Sequence, residues 1–305
     1  MAPVPRWQSL VFLVATAVAC AAAILGVRLG AHTELMVASG LIGLVGLPHG
    51  AIDPLLAARV YRFSRPAEWV LFAACYTGLA LGVVLVWVLA PALFLAGFLL
   101  ISLLHFSEDL VSGAHWLSRL AYGAAVVVLP TLLHGPETAR LLGLVAGAEA
   151  AMPVAQGMRL VALPLLALTL ALSLVEARRR PMTGADMAGV AVLSACAPPL
   201  VSFTVFFCLM HSLRHLLRAA MDEGTMSVRA LVHAAAWPMA GTALAALVAW
   251  RLLGSQSIDA AVMQLIFVGL AALTVPHMVL VEVAARAGWP QMVPVAGLRA
   301  VRAGG

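Results

Sequence analysis

Apolar residues run along this chain in blocks of about 20, separated by arginine, proline or glycine, and within the blocks they do not alternate with polar ones. A helix of that length covers roughly 30 Å at about 1.5 Å per residue, the thickness of bilayer hydrocarbon. The lack of alternation excludes a transmembrane barrel, whose strands would read apolar-out and polar-in. The pattern predicts spans near residues 9–28, 36–58, 68–90, 92–112, 116–134 and 158–177. The stretch 185–220 is too long for one span. Pro198-Pro199 divides it into a short re-entrant piece at 185–198 and a span at 200–220, because proline cannot continue the backbone ladder. Two more spans follow near 228–253 and 258–286, and 135–157 reads as a long loop or surface helix. The expected architecture is all-α, a polytopic integral membrane helical bundle of about eight to ten transmembrane helices forming one domain over residues 1–305.

Composition agrees: of 305 residues, 63% are hydrophobic and 10% charged. All 18 basic residues are arginine, placed at the ends of apolar blocks rather than in a patch, which argues for membrane orientation and against nucleic-acid binding. The absence of lysine also excludes a rhodopsin, which needs an intrahelical lysine for its retinal Schiff base. Clusters Arg59/Arg62/Arg65, Arg178/Arg179/Arg180, Arg214/Arg218/Arg229 and Arg286/Arg299/Arg302 fall on one side of the predicted bundle. The positive-inside rule makes that side cytoplasmic, with the N-terminus, and the expected location is the inner (plasma) membrane. The four cysteines stand singly in apolar runs and read as packing residues.

The informative residues are histidines, since ionisable groups at membrane depth are costly and usually face an interior site. Five of the nine lie there: His49 in Gly46-Leu-Pro-His-Gly-Ala-Ile-Asp53, His105 in Leu104-His-Phe-Ser-Glu-Asp109, His211 and His215 in His-Ser-Leu-Arg-His, and His277 in Val275-Pro-His-Met-Val-Leu-Val-Glu282. In the predicted topology their helices all run from outside to inside, so the five imidazoles share a leaflet and can close around one centre. His211 and His215, four apart, sit on one helix face in a chelating arrangement. One such histidine alone reads as an interhelical hydrogen bond. Together, several neutral imidazoles at one depth each need a partner, and a transition metal serves all of them.

Asp53, Asp109 and Glu282 follow these histidines by four or five residues. They read as carboxylates that accept the ring N–H not used for ligation, fixing the tautomer. Helix capping, pairing with arginine, or direct ligation by Asp53 or Asp109 are the alternatives. Imidazole suits zinc, copper, iron or nickel, and the sequence physics does not choose among them. His32, His115, His134 and His233 read as interfacial or packing residues.

Pro48-His49-Gly50-Ala51-x-Asp53, His105-Phe106-x-x-Asp109, His211-x-x-x-His215 and Pro276-His277, in that order over residues 40–285, resemble the Brp/Blh family of β-carotene 15,15'-dioxygenases. The resemblance implies a membrane enzyme that cleaves β-carotene, or a related carotenoid, with O2 at the central double bond to give two all-trans-retinal, using non-haem Fe(2+). It implies His49, His105, His211 and His215 as iron ligands, with His277 a site-lining residue or alternative ligand and no catalytic residue beyond the metal centre. Lipid bilayer, and a rhodopsin as functional companion, complete the implied partners. Where the family pattern leads one to expect glycine after His105-Phe106, this chain has Ser107 and Glu108. A narrow apolar tunnel would have to hold the polyene, and Phe98, Phe106, Phe203, Phe206, Phe207 and Phe267 are candidates for its wall, or else ordinary packing aromatics.

Other classes fit less well. A di-iron desaturase wants repeated HxxxH and HxxHH boxes, and an intramembrane metalloprotease wants HExxH; HxxxH occurs once here and the other two never. A bis-histidine haem protein, another metal-dependent oxidoreductase acting on a different carotenoid or lipid, and a divalent-metal transporter are the remaining alternatives. The almost wholly apolar outer halves of the second, fourth and tenth spans disfavour a continuous aqueous route.

Overall fold

Proline at the first helical position, where its missing N–H leaves no gap in the hydrogen-bond ladder, opens several helices of the chain. The computed structural model describes residues 5–110, 113–222, 228–253 and 257–286. The helices are α1 (Arg6–Ile24), α2 (Ala31–Leu41), α3 (Asp53–Tyr61), α4 (Pro66–Leu89), α5 (Pro91–Ser107), α6 (Trp116–Val128), α7 (Pro130–Ala146), α8 (Ala148–Arg179), α9 (Pro181–Cys196), α10 (Pro199–Val205), α11 (Leu213–Asp222), α12 (Val228–Leu252) and α13 (Ile258–Arg286). A π turn (Ile42–Gly46) and a 3₁₀ turn (Leu47–Ile52) join α2 to α3, and a second π turn (Phe206–Ser212) joins α10 to α11. No strand occurs among the described residues.

Among the described residues six stretches, Arg6–Ile24, Ala31–Ala58, Pro66–Leu89, Ala148–Arg179, Pro199–Arg218 and Ile258–Val283, are long and apolar enough to cross a membrane. The pair α6–α7, bent by 44° at its junction, makes a seventh if taken as one span. This is fewer than the eight to ten expected. The pattern at 92–112 becomes the 17-residue α5, the short piece at 185–198 the 16-residue α9, and the pattern at 228–253 the 25-residue α12 with Pro238 inside it. The segment 135–157 is not a loop but the continuation of α7 and the start of α8, parted only at Gly147 with its φ of 86°. It is no surface feature either, since Leu141, Val145, Ala151 and Ala155 are buried. The helix kinks at His134, upstream of Pro136, and Thr138 Oγ1 donates to the His134 carbonyl at 2.9 Å.

Two apolar clusters hold the bundle. The larger gathers Phe12, Ile42, Phe106, Tyr122, Met187 and Phe206, and the smaller Leu35, Phe94, Leu141, Leu200 and Met263. Helix α4 buries none of its residues and meets only the smaller cluster, through partly buried Val83, Val84 and Trp87, leaving the rest of its surface to lipid. Small residues let backbones approach: a Cβ on Gly123 would collide with the Leu103 carbonyl and with Ser107, so α6 crosses directly over the last turn of α5.

Candidate metal centre

The site is assembled where regular helix gives way. His105 occupies the last turn of α5, and the chain then turns so that Asp109 N–H donates to the Phe106 carbonyl at 3.1 Å. Arg119 of α6 holds this end by donating from Nε to the Ser107 carbonyl at 3.3 Å. His211 lies in the second π turn and His215 in the first turns of α11. His277 comes from the middle of α13, directly after Pro276.

These four rings meet. His105 and His211 lie 4.7 Å apart between centroids, His211 and His215 4.7 Å, His105 and His277 5.4 Å, and His105 and His215 6.0 Å. All four are buried. His49 is carried on the 3₁₀ turn Leu47–Ile52, and its side chain lies outside the described atoms.

Two carboxylates orient the rings. Asp109, fully buried, accepts from His211 Nδ1 at 3.0 and 2.9 Å and from His215 Nε2 at 3.1 Å. Asp53 accepts from His277 Nδ1 at 2.6 Å and from Tyr76 Oη at 2.8 Å. An ionised carboxylate only accepts, so each paired ring nitrogen carries the proton and the opposite nitrogen keeps its lone pair. Nε2 of His211 and of His277 and Nδ1 of His215 are thereby set as donors to a cation. The carboxylate that accepts from His277 Nδ1 is Asp53, and Glu282 lies near enough to Glu108 for their charges to interact.

Whether this set fits a metal is answered by His105. Its Nδ1 is buried with no hydrogen-bond partner among the described residues, a situation that costs about 1–3 kcal/mol unless something binds there. Asp109, His211 and His215 offer ligand atoms all within 4.8 Å of one another, so this buried group could hold a metal ion. Nitrogen donors with a carboxylate at hand are the set that non-haem iron accepts, as well as zinc.

Around the centre lies a polar scaffold that the sequence reading did not single out. Arg214 and Arg218, expected at a cytoplasmic edge, are buried, and both donate to the Asp109 carbonyl, at 3.4 and 3.0 Å. Arg214 also pairs with Asp186 of α9 at 2.8 Å and donates to Gln8 Oε1 at 3.1 and 2.9 Å and to Ser9 Oγ at 3.2 Å. The signal lay in polar Gln8-Ser9 at the mouth of an apolar span and Asp186 within another. The two π turns rest on each other: Ser212 Oγ donates to the Gly46 carbonyl at 3.0 Å, and the Phe207 ring occupies the space a Cβ on Gly46 would need. Register shifts of this kind release main-chain carbonyls that must be satisfied when buried, and π turns are frequent at functional sites.

The six phenylalanines proposed as tunnel wall adjoin one another. Phe207 stacks on His211 at 5.4 Å, Phe203 on Phe207 at 5.3 Å, Phe267 meets Phe203 at 5.3 Å, and Phe98 meets Phe267 at 6.4 Å. Phe106 joins Phe203, Phe206 and His211 at 6.3, 5.0 and 5.1 Å. The other histidines lie apart: His32 pairs with Asp259 at 2.7 Å, His134 Nε2 meets the Cys196 carbonyl at 3.1 Å, and His115 caps α6. The side chain of His233 is outside the described atoms.

Residues 40–284 match the family model described as beta-carotene 15,15'-dioxygenase, a stretch that contains all eight candidate residues from His49 to Glu282. The chain belongs to the β-carotene 15,15'-dioxygenase (Brp/Blh) family. It is 30% identical over 258 residues to a beta-carotene 15,15'-dioxygenase of uncultured marine bacterium 66A03, covering 80% of this chain and 92% of that protein. It is 28% identical over 311 residues to a probable beta-carotene 15,15'-dioxygenase Blh of Halobacterium salinarum (strain ATCC 700922 / JCM 11081 / NRC-1), covering 88% and 89%. No solved structure matches the chain. For this β-carotene 15,15'-dioxygenase family member the buried histidines therefore stand inside the family's own matched region rather than in an appended segment.

Proposed function

We propose that this protein cleaves β-carotene, or a close relative, at the central 15,15' double bond with O2, yielding two molecules of all-trans-retinal, and that it does so with Fe(2+) held by imidazoles within the membrane. The observation that carries the reading is the meeting of His105, His211, His215 and His277 at one buried centre, with Asp109 and Asp53 on their outer nitrogens. In this reading His105, His211 and His215 hold the iron, His277 joins them from α13, and His49 supplies a further ligand from its 3₁₀ turn. Asp53 and Glu282 act from outside the ligand set, and Asp109 orients His211 and His215 and is the alternative ligand beside them. Iron, when bound, supplies the O2 activation that the side chains alone lack.

The protein's own residues do the rest. The carboxylates keep the rings in the tautomer that presents a lone pair inward, so no proton has to leave when the ion binds. The surrounding phenylalanines exclude water, and the file from Phe207 to Phe98 provides an apolar surface for one half of a rod-shaped polyene whose middle lies near His211. Such a substrate dissolves in the bilayer, so entry between helices is the natural route. The apolar helices support a membrane location, and retinal as product supports a functional link to a rhodopsin.

The test is expression in bacteria that accumulate β-carotene, with chromatography of the pigment. Retinal is expected from the wild type and none from His211→Ala/His215→Ala. Undiminished β-carotene in membranes that contain folded, iron-loaded protein would contradict the substrate and move the reading to another carotenoid.

A further inference from the structure

Helix α4 buries none of its residues, yet it sends two polar groups inward: Trp87 Nε1 donates to the Val145 carbonyl at 2.8 Å, and the Tyr76 phenol reaches Asp53. Tyr76 is part-buried, and its hydroxyl donates to Asp53 Oδ2 at 2.8 Å, while Asp53 Oδ1 accepts from His277 Nδ1 at 2.6 Å. The same hydroxyl lies 3.4 Å from the Leu273 carbonyl, one turn before His277 on α13. The Tyr76 ring is not loose. It packs on Phe72 at 5.8 Å, Phe72 meets Trp69, Phe63 and Tyr61, and Phe63 stacks on Tyr61 at 5.5 Å, so a train of aromatic rings joins α3 to α4 and ends on the phenol.

We infer that Tyr76 is a positioning residue for the metal centre, acting through Asp53 on His277. The inference rests on the reading of the histidines as metal ligands. An aspartate has two oxygens, and one that must hold a buried imidazole at a fixed angle is steadied when the other is also engaged. With the phenol in place, the Asp53 carboxylate is fixed in rotation and presents Oδ1 to His277. Without it, the carboxylate is free to turn and the ring it orients loses its bearing. Asp109 is steadied differently, by two histidines, so the Asp53 arm is the one that depends on an outer helix.

The test is a double-mutant cycle on Tyr76→Phe and Asp53→Asn, read as the affinity of the purified protein in detergent for ferrous iron by chelator competition. Phenylalanine keeps the ring train and removes only the hydroxyl, so helical content and melting should match the wild type. Tyr76→Phe is expected to weaken iron binding by roughly tenfold and Asp53→Asn by roughly tenfold to a hundredfold. The double variant should bind no more weakly than Asp53→Asn alone, because the tyrosine acts only through the aspartate. An unchanged affinity in Tyr76→Phe, or losses that add in the double variant, would overturn the inference. Wild-type affinity in His211→Ala/His215→Ala would instead overturn the metal reading. In that case the relay is read on metal-free protein by nitrogen NMR of labelled histidine, where Tyr76→Phe must shift the His277 ring resonances and an unshifted spectrum rejects it.

Discussion

The centre has two arms that solve one problem differently. On one side Asp109 binds two histidines, and its own carbonyl is gripped by Arg218 and by Arg214, the latter reaching back through Asp186, Gln8 and Ser9 to α9 and α1. On the other, Asp53 binds a single histidine among the described residues, His277, and is braced by Tyr76, from a helix with no fully buried residue. The first arm is embedded in the larger apolar core, and the second hangs on the lipid-facing layer. A charged scaffold suits the packed interior, where every donor can find a partner, whereas at the periphery a phenol delivers one hydrogen bond and leaves an apolar ring for its neighbours.

If the arms differ in this way, disabling them should give unequal losses. Asp109→Ala disorients two rings at once and should cut retinal formation by on the order of 10²–10⁴-fold. Asp53→Ala disorients one and should cost on the order of 10–10²-fold, both measured in the β-carotene-accumulating host and normalised to protein level. Equal losses would erase the asymmetry. Arg214→Met should leave Asp186 as a buried charge without its ion pair and destabilise the protein by about 3–5 kcal/mol in thermal unfolding followed by circular dichroism. Adding Asp186→Leu should recover most of that loss. Gly46→Ala pushes on Phe207 where the π turns meet, and about 1–3 kcal/mol of overpacking is expected, with lowered turnover because Phe207 stacks on His211. The smallest effect belongs to the exposed pair His32–Asp259, where His32→Ala should change stability by less than about 1 kcal/mol and leave turnover alone.

Much of the centre was legible because charge is conspicuous in hydrocarbon. His105, His211, His215, His277, Asp53 and Asp109 each interrupt an apolar run, and the i, i+4 spacing of His211 and His215 survives in rings 4.7 Å apart although a π turn lies between α10 and α11. What the sequence hid is which acid serves which ring. Asp109 follows His105 by four but lies beyond the end of α5 at Ser107, where helical spacing no longer applies, so it reaches His211 and His215 instead. Asp53 follows His49 by four across a 3₁₀ turn and opens α3, and its partner is His277, 224 residues away. Tyr76 was invisible for the opposite reason, being one more aromatic in an apolar helix. The arginines misled because a positive charge near a span end reads as an edge marker, while Arg214 finds Asp186, Gln8 and Ser9 only through tertiary contact. Apolar pattern alone does not separate a full crossing from a shorter helix such as α5.

The central claim is that several neutral imidazoles from separate helices bind one iron. X-ray absorption at the iron edge of purified, retinal-producing protein tests it directly, because imidazole rings scatter as rigid units. The account predicts a nitrogen and oxygen shell with imidazole scattering from at least three rings and no sulfur, losing iron outright in His211→Ala/His215→Ala. Iron that shows no imidazole scattering, or that stays bound unchanged in that variant, would contradict it.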